Sequence, residues 1–234
     1  MYYRLSNIAD LEEVESTFQA KFKHPNIYQP NQLINGLDEN LVPIIKQNAG
    51  EHIDFAIWGL LPEGFKEEWN MFQDQINTLN IEIGQIDRSK WFKESLELRR
   101  SAIITTGFFT SYLKEGEIYP YHVHLPKMKP FAMASIFSKL EDGFYTAAII
   151  TTTFSKELEQ IQDLGNQMPF ALNMEQYKLW ISDESTPQDV KSLLMEEPGL
   201  SFEAEPVSKE FFKNEIRFNE FLRKANYVNL PRLR

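Results

Sequence analysis

The chain has 234 residues, a formal net charge of −10 and no cysteine. The absence of thiols excludes disulfide bonds, thiolate metal sites and a cysteine nucleophile. The acidic charge does not favour non-specific nucleic-acid binding, which relies on Lys and Arg side chains that neutralise phosphates. There is no apolar run of about 18 residues and no basic, apolar leader at the start. We therefore expect a cytoplasmic protein and predict a single domain over residues 1–234.

The N-terminal half predicts helices and strands in alternation. Ser6 or Asn7 can cap a first helix, because acidic residues follow and apolar residues recur at helical spacing; these are Leu11, Val14, Phe18 and Phe22. The further elements predicted in this half are a strand at Leu41–Ile45, a half-buried strand at His52–Pro62, helices at Lys66–Leu79 and Lys90–Leu98, and an ambiguous stretch at Ile81–Arg88.

The second half predicts closely spaced strands, which favour a mostly antiparallel sheet. The first strand, Ser101–Leu113, is rich in β-branched and aromatic residues and is interrupted by Gly107, so that Phe108 and Phe109 point to opposite faces. The later elements are strands at Tyr119–Pro126, Pro130–Leu140 and Phe144–Phe154, and helices at Ser155–Leu164, Glu175–Ile181, Pro187–Met195 and from Glu210 onward. This mixture predicts the α+β class.

Histidines at two alternate positions are the only arrangement typical of a metal site. His122 and His124 share one face of a strand and could ligate zinc, but no third ligand is apparent. We interpret them as the polar face of an antiparallel strand and expect neither a metal nor a cofactor. Trp58 and Phe65 could stack on bases, although the position of Trp58 in a strand favours core packing. No phosphate-binding loop, nucleophile elbow or metalloprotease motif is present.

Several short motifs, taken in order, carry a resemblance to a known family. Family patterns W-G-L-I-P, N-A-R, G-[FW]-[FY]-E-W, P-[YF]-x-[IV], H-x-R-M-P and P-V-S-K correspond to Trp58–Pro62, Asn80–Glu82, Gly107–Ser111, Pro120–Val123, Gly165–Pro169 and Pro206–Lys209. The chain thus resembles the SOS-response-associated peptidase (SRAP) domain, the abasic-site-processing family. The resemblance covers nearly the whole chain, and its strength lies in the ordered set.

The resemblance implies a fold and a chemistry. The fold is a strongly curved, bifurcated, mostly antiparallel mixed sheet surrounded by helices. The chemistry is the detection of abasic sites in single-stranded DNA, where an N-terminal cysteine exposed by Met removal closes a thiazolidine ring with the sugar aldehyde. An asparagine, a glutamate and a histidine of the motifs assist in catalysis and also support Met removal.

The catalytic positions implied by the resemblance are mostly replaced in this chain. Tyr2 stands at the cysteine position, Thr110 at the glutamate position and Gly165 at the histidine position, and only Asn80 is retained. Without a thiol no thiazolidine can form. A large second residue also disfavours Met removal, so we expect Met1 to stay. The N-terminal residues should lie beside Asn80 and Thr110.

The DNA-contacting positions are weakened as well. Arg4 is retained, but Glu82 and Gln167 replace the arginines of the N-A-R and H-x-R-M-P motifs. Candidate DNA-contacting residues are Arg4, Phe65 and Asn80. Our main hypothesis is a catalytically inactive SRAP-like binding module whose protein partner the sequence does not identify. The alternatives are an active abasic-site repair protein that uses the Met1 amine or other residues, and an unrelated binding protein.

Overall fold

Two β-sheets form the framework of the chain in the computed structural model, which describes residues 3–153, 155–156, 158–161, 167–209, 222, 225, 227 and 229–233. The strands are β1 (Arg4–Asn7), β2 (Lys21–Phe22), β3 (Asn31–Asn35), β4 (Leu41–Lys46), β5 (His52–Trp58), β6 (Asn80–Glu82), β7 (Arg100–Thr105), β8 (Gly107–Lys114), β9 (Glu117–His124), β10 (Phe131–Lys139), β11 (Tyr145–Thr153), β12 (Gln167–Pro169), β13 (Ala171–Leu172) and β14 (Glu203–Pro206). The helices are α1 (Leu11–Phe18), α2 (Trp69–Gln75), α3 (Ile83–Ile86), α4 (Lys90–Leu98), α5 (Met174–Ile181) and α6 (Pro187–Leu194).

The smaller sheet has the strand order β14-β9-β8-β1-β3, and the larger follows β12-β11-β10-β7-β4-β5-β2, with β13 on β10 and β6 on β11. Strand β5 also pairs with β11, so β11, β10, β7, β4 and β5 form a closed ring of pairings. Among the described strands, the parallel pairings are β2–β5, β5–β11 and β6–β11. The predicted α+β class with a curved, mostly antiparallel sheet is confirmed.

The stretch from Ser101 to Leu113 forms two strands, not the single strand predicted. Strand β7 lies between β4 and β10 in the larger sheet, whereas β8 lies between β1 and β9 in the smaller one. The chain passes from one sheet to the other at Thr106, whose N–H donates to Ser6 O over 2.8 Å. The alternation of side chains gave no signal of this change, because both strands are buried over most of their length.

The first helix begins later than its predicted cap. Ser6 and Asn7 belong to β1, and Asp10 caps α1 by accepting a hydrogen bond from Glu13 N over 2.8 Å. A side-chain oxygen of this kind satisfies a backbone donor that the first helical turn leaves without a partner. Ser6 and Asn7 therefore pair within the sheet and do not cap the helix.

Most other predicted elements are found with shifted ends. The predicted helix Lys66–Leu79 is the shorter α2, and the ambiguous Ile81–Arg88 contains the end of β6 and all of α3. Of the predicted helix Ser155–Leu164, the described residues show a 3-10 turn at Leu158–Ile161. The predicted helix from Glu210 lies outside the described residues.

Two apolar clusters lie on the two faces of the large sheet. The first cluster joins one face to the small sheet and includes Trp58, Phe108 and Ile149. The second lies under the helices and includes Ile150 and Trp180. Because successive strand residues point to opposite faces, Ile149 and Ile150 fall into different clusters. Near the chain end, Leu233 exchanges backbone hydrogen bonds of 3.0 and 3.2 Å with Ala204. A single domain over residues 1–234 stays our prediction.

Candidate functional site

Thr110 lies in the middle of β8 on the side of the first apolar cluster. It pairs with Tyr121 of β9, and 9% of its surface is exposed. Phe108 points the same way by strand alternation and belongs to that cluster, whereas Phe109 points to the opposite face. The predicted division of the two phenylalanines between faces is confirmed, and Thr110 faces the space between the sheets.

Asn80 approaches the same cluster from the other sheet. It starts β6, is partly exposed and pairs with Ile149 of β11. Residues opposite each other in neighbouring strands point to one face, and Ile149 belongs to the first cluster. The register therefore directs Asn80 and Thr110 toward one interior region. Met1, Tyr2 and Gly165 lie outside the described residues.

The N-terminal strand lies directly beside β8. Leu5 pairs with Phe108, and this antiparallel register, continued by two residues, brings Tyr3 opposite Thr110. The N–H of Gly36 donates to Tyr3 O over 2.8 Å, and the Arg4 guanidinium lies 4.9 Å from the Tyr3 ring centre. The geometry is consistent with the prediction that the first residues lie near Thr110.

A groove of about 450 Å³ brings the two substituted arginine positions together. Glu82 pairs with Thr151, and Gln167 pairs with Thr153 two residues further along β11. Their neighbours in the groove are Ile83, Gly84, Thr151–Thr153, Ser155 and Leu194–Pro198. In the described part of the chain its charged lining consists of Glu82, Glu196 and Glu197. We call this feature the acidic groove.

Aromatic rings line a second, open groove of about 400 Å³. Phe65 meets Phe72 edge to face with ring centres 5.2 Å apart, and Phe72 contacts Trp91 in the same way at 6.1 Å. Phe65 is partly exposed and can still meet a ligand. Trp58 cannot, because it is fully buried and its Nε1–H donates to Leu79 O over 2.9 Å. Its interpretation as a core residue is confirmed.

The histidine pair does not form a solvated polar face. His122 and His124 are 2% and 3% exposed, with ring centres 4.9 Å apart. Burial, and to a lesser degree the nearby His124, lower the pKa of His122 to about 3, so this ring is neutral near pH 7. In the described residues no group of three or more His, Cys, Asp or Glu side chains could hold a metal ion.

Sequence reasoning missed the partner of His122. Its Nε2 is hydrogen bonded to Ser6 Oγ over 2.8 Å, although 116 positions separate the two residues. The available signal was Gly107: a Cβ at that position would lie 2.3 Å from His122 Nε2 and 2.9 Å from Ser6 Oγ. A glycine within an otherwise β-branched stretch can mark such a close approach.

Comparison with known proteins identifies the family. The model of the SOS response associated peptidase (SRAP) family matches residues 1–214. The chain belongs to the SRAP family. It is 26% identical over 212 residues to the abasic site processing protein YoqW of Bacillus subtilis, covering 88% of this chain and 91% of YoqW. It is 25% identical to the abasic site processing protein YoaM of the same organism, covering 89% and 88%.

Solved structures support the same fold. A protein from Bacteroides thetaiotaomicron superposes with a TM-score of 0.82 at 21% identity, over 96% of this chain and 100% of the other. A protein from Bordetella bronchiseptica gives a TM-score of 0.72 at 14% identity, over 88% and 99%. In the described residues no helix is long and apolar enough to cross a membrane.

Proposed function

We propose that this SRAP-family protein no longer forms a covalent crosslink with abasic DNA and acts as a non-covalent binding module. Tyr2 at the implied cysteine position supports the loss of the crosslink, and the acidic groove supports a weakened contact with DNA. Glu82 and Gln167 occupy the positions where the family resemblance implies phosphate-binding arginines, and Glu196 and Glu197 line the same groove. A phosphate backbone entering it would meet carboxylates, which repel phosphate, in place of guanidinium groups, which bind it in bidentate fashion.

None of the four positions that the resemblance assigns to catalysis, Tyr2, Asn80, Thr110 and Gly165, carries a side chain that titrates near neutral pH. A threonine hydroxyl and an asparagine amide form hydrogen bonds but do not titrate in this range. At the cysteine and histidine positions, Tyr2 supplies no thiol and Gly165 has no side chain. The site can therefore orient a ligand through Asn80 and Thr110, but general acid–base catalysis has no candidate among these positions.

A weakened interaction with single-stranded DNA is the binding activity to test first. The related proteins YoqW and YoaM are described as abasic site processing proteins. Arg4 offers a cation next to the strand of Thr110, and Phe65 offers a partly exposed ring on which a base could stack. We expect this binding to be weak and sensitive to salt, because the chain has a net charge of −10.

Incubation with single-stranded DNA that carries one abasic site tests the proposal. Denaturing gels with and without borohydride distinguish three outcomes. These are a stable adduct, an imine that is retained on the gel only after reduction, and no covalent bond. The same oligonucleotide with an intact base is the control. We also include the triple variant Tyr2→Cys, Thr110→Glu, Gly165→His, which restores the implied side chains.

We expect no adduct for the natural chain under either condition and a stable adduct for the triple variant. A stable adduct of the natural chain without borohydride would overturn the proposal. An adduct that appears only with borohydride would support the alternative of imine chemistry at the N-terminal amine. Non-covalent binding is measured separately, by the fluorescence anisotropy of a labelled strand.

A further inference from the structure

A cluster of buried polar groups holds the N-terminal strand at one residue, Ser6. Its carbonyl oxygen accepts hydrogen bonds from Thr106 N at 2.8 Å, Thr105 Oγ1 at 2.7 Å and Thr106 Oγ1 at 3.1 Å. Its hydroxyl is hydrogen bonded to His122 Nε2 at 2.8 Å. We call Ser6, Thr105, Thr106 and His122 the Ser6 clasp.

The clasp lies where the pairing of β1 with β3 is interrupted. The register between β1 and β3 shifts between Leu5 and Asn7, so Ser6 lies at a bulge. On the other side, Ser6 pairs with Gly107, the first residue of β8. The position of β1 at this point therefore depends on the clasp, and β1 carries the residues that lead toward Thr110.

The His122 ring lies in an apolar and crowded environment. It contacts the Phe109 ring at 4.8 Å between centres and the His124 ring at 4.9 Å. The absence of a side chain at Gly107 leaves the space that its Nε2 occupies. Such an environment stabilises a neutral imidazole and penalises an imidazolium ion.

The charged groups around the ring offer little compensation for a proton. Glu205 of β14 lies opposite His122 in the register, and Glu203 has Oε2 3.9 Å from His124 Nδ1. Arg4 of β1 lies on the same face as Ser6 by strand alternation. In the described residues, burial and His124 are the causes that lower the pKa of His122. Neither carboxylate offsets them.

We propose that Ser6 and His122 are positioning residues for the N-terminus, and that acid opens the Ser6 clasp by protonating His122, which releases β1 from β8. The inference concerns the N-terminal strand alone and does not rest on the proposed function. Opening exposes a neutral ring that then takes up a proton with the ordinary histidine pKa near 6.5. The opening equilibrium should thus rise tenfold per pH unit below that value, or about 30-fold between pH 7.5 and pH 5.

Amide hydrogen exchange of the full chain, measured by mass spectrometry from pH 7.5 to pH 5, tests the opening of the clasp. The rates are corrected for the intrinsic pH dependence of exchange. Peptides that cover β1 report on the clasp, and peptides that cover β10 and β11 report on the rest of the fold. Three variants accompany the natural chain. His122→Asn removes the titrating group, Ser6→Ala removes the hydroxyl, and His52→Asn is the matched control at an exposed histidine.

We expect protection of β1 to fall about 30-fold over this range in the natural chain and in His52→Asn, and to stay lower at every pH than the protection of β10 and β11, which open only when the whole chain unfolds. In Ser6→Ala protection should be lower at every pH with the same pH dependence. In His122→Asn the pH dependence should disappear. A pH dependence that persists in His122→Asn, or protection of β1 as high as that of β10 and β11 at pH 5, would overturn the proposal.

Discussion

Restoring positive charge in the acidic groove should restore affinity for single-stranded DNA. The double variant Glu82→Arg, Gln167→Arg changes two side chains that line one groove and flank the same strand, β11. It replaces one carboxylate and one neutral amide by two guanidinium groups. The formal charge of the groove thereby changes by about three units, one for each charge removed or added.

The expected gain follows from Coulomb's law in water. A unit charge about 6 Å from a phosphate contributes about 0.7 kcal/mol at the dielectric constant of water. Three such units give about 2 kcal/mol, which corresponds to about a 30-fold lower Kd. Two new phosphate contacts should also steepen the dependence of log K on log salt by about 1.4 for single-stranded DNA.

Fluorescence anisotropy of a labelled single strand, titrated at 50, 100 and 200 mM KCl, measures both quantities. The control variant Glu51→Arg, Gln29→Arg makes the same change in net charge at two exposed residues outside the groove. We expect this control to tighten binding far less than the groove variant and to leave the salt slope nearly unchanged. Equal affinities and equal salt slopes for the two variants would refute the placement of DNA in this groove.

Three further predictions concern the stability of the scaffold. Gly107→Ala should lower the free energy of unfolding by about 3 kcal/mol in urea titrations, because its Cβ would lie 2.3 Å from His122 Nε2; a loss below about 1 kcal/mol would contradict this close approach. Arg100→Met should cost about 3 kcal/mol in the same assay, because the guanidinium donates to four backbone carbonyls of α4 and the end of α5; no loss would show that those carbonyls find other donors. Between pH 8 and pH 5, the contribution of His122 to the free energy of unfolding should be constant down to about pH 6.5 and should fall by about 1.4 kcal/mol per pH unit below it, because burial lowers the pKa of His122 to about 3 in the folded chain; an equal fall in His122→Asn would assign the effect to other groups.

The longer strands, β4, β5 and β7–β11, could be predicted from the sequence because their signal is local. Apolar residues alternate with His52, Asp54 and Ala56 in His52–Trp58, and Tyr145–Thr153 is a run rich in β-branched residues, which is typical of a buried strand. Which of the two sheets a strand joins, in contrast, depends on its pairing with segments that are distant in the sequence. The residues from Ser101 to Leu113 do not indicate that a second sheet begins at Gly107, since every residue from Ser101 to Thr110 is buried, on both sides of the change.

The candidate site could be predicted only where the family resemblance supplied residues. It pointed to Asn80, Thr110, Glu82 and Gln167, and the structure shows that the last two line one groove. The Ser6 clasp could not be found in this way, because its four members come from three separated segments and each residue is ordinary by itself. Its geometry arises where β1 and β9 meet the junction between β7 and β8, which no single segment encodes.

The environment of Thr110 makes the substitutions at the candidate site interdependent. Thr110 is 9% exposed and pairs with Tyr121 beside an apolar cluster. A carboxylate there would lose hydration, and neither Tyr2 nor Gly165 supplies the cation or thiol of the implied site, so its pKa would rise. A folded-state pKa above the unfolded value near 4.3 means that stability is retained at low pH and lost as the pH rises. Thr110→Glu alone should therefore unfold at lower urea than Thr110→Gln at pH 8, with the two variants nearly equal at pH 4, whereas equal midpoints at pH 8 would show that the buried strand tolerates the charge.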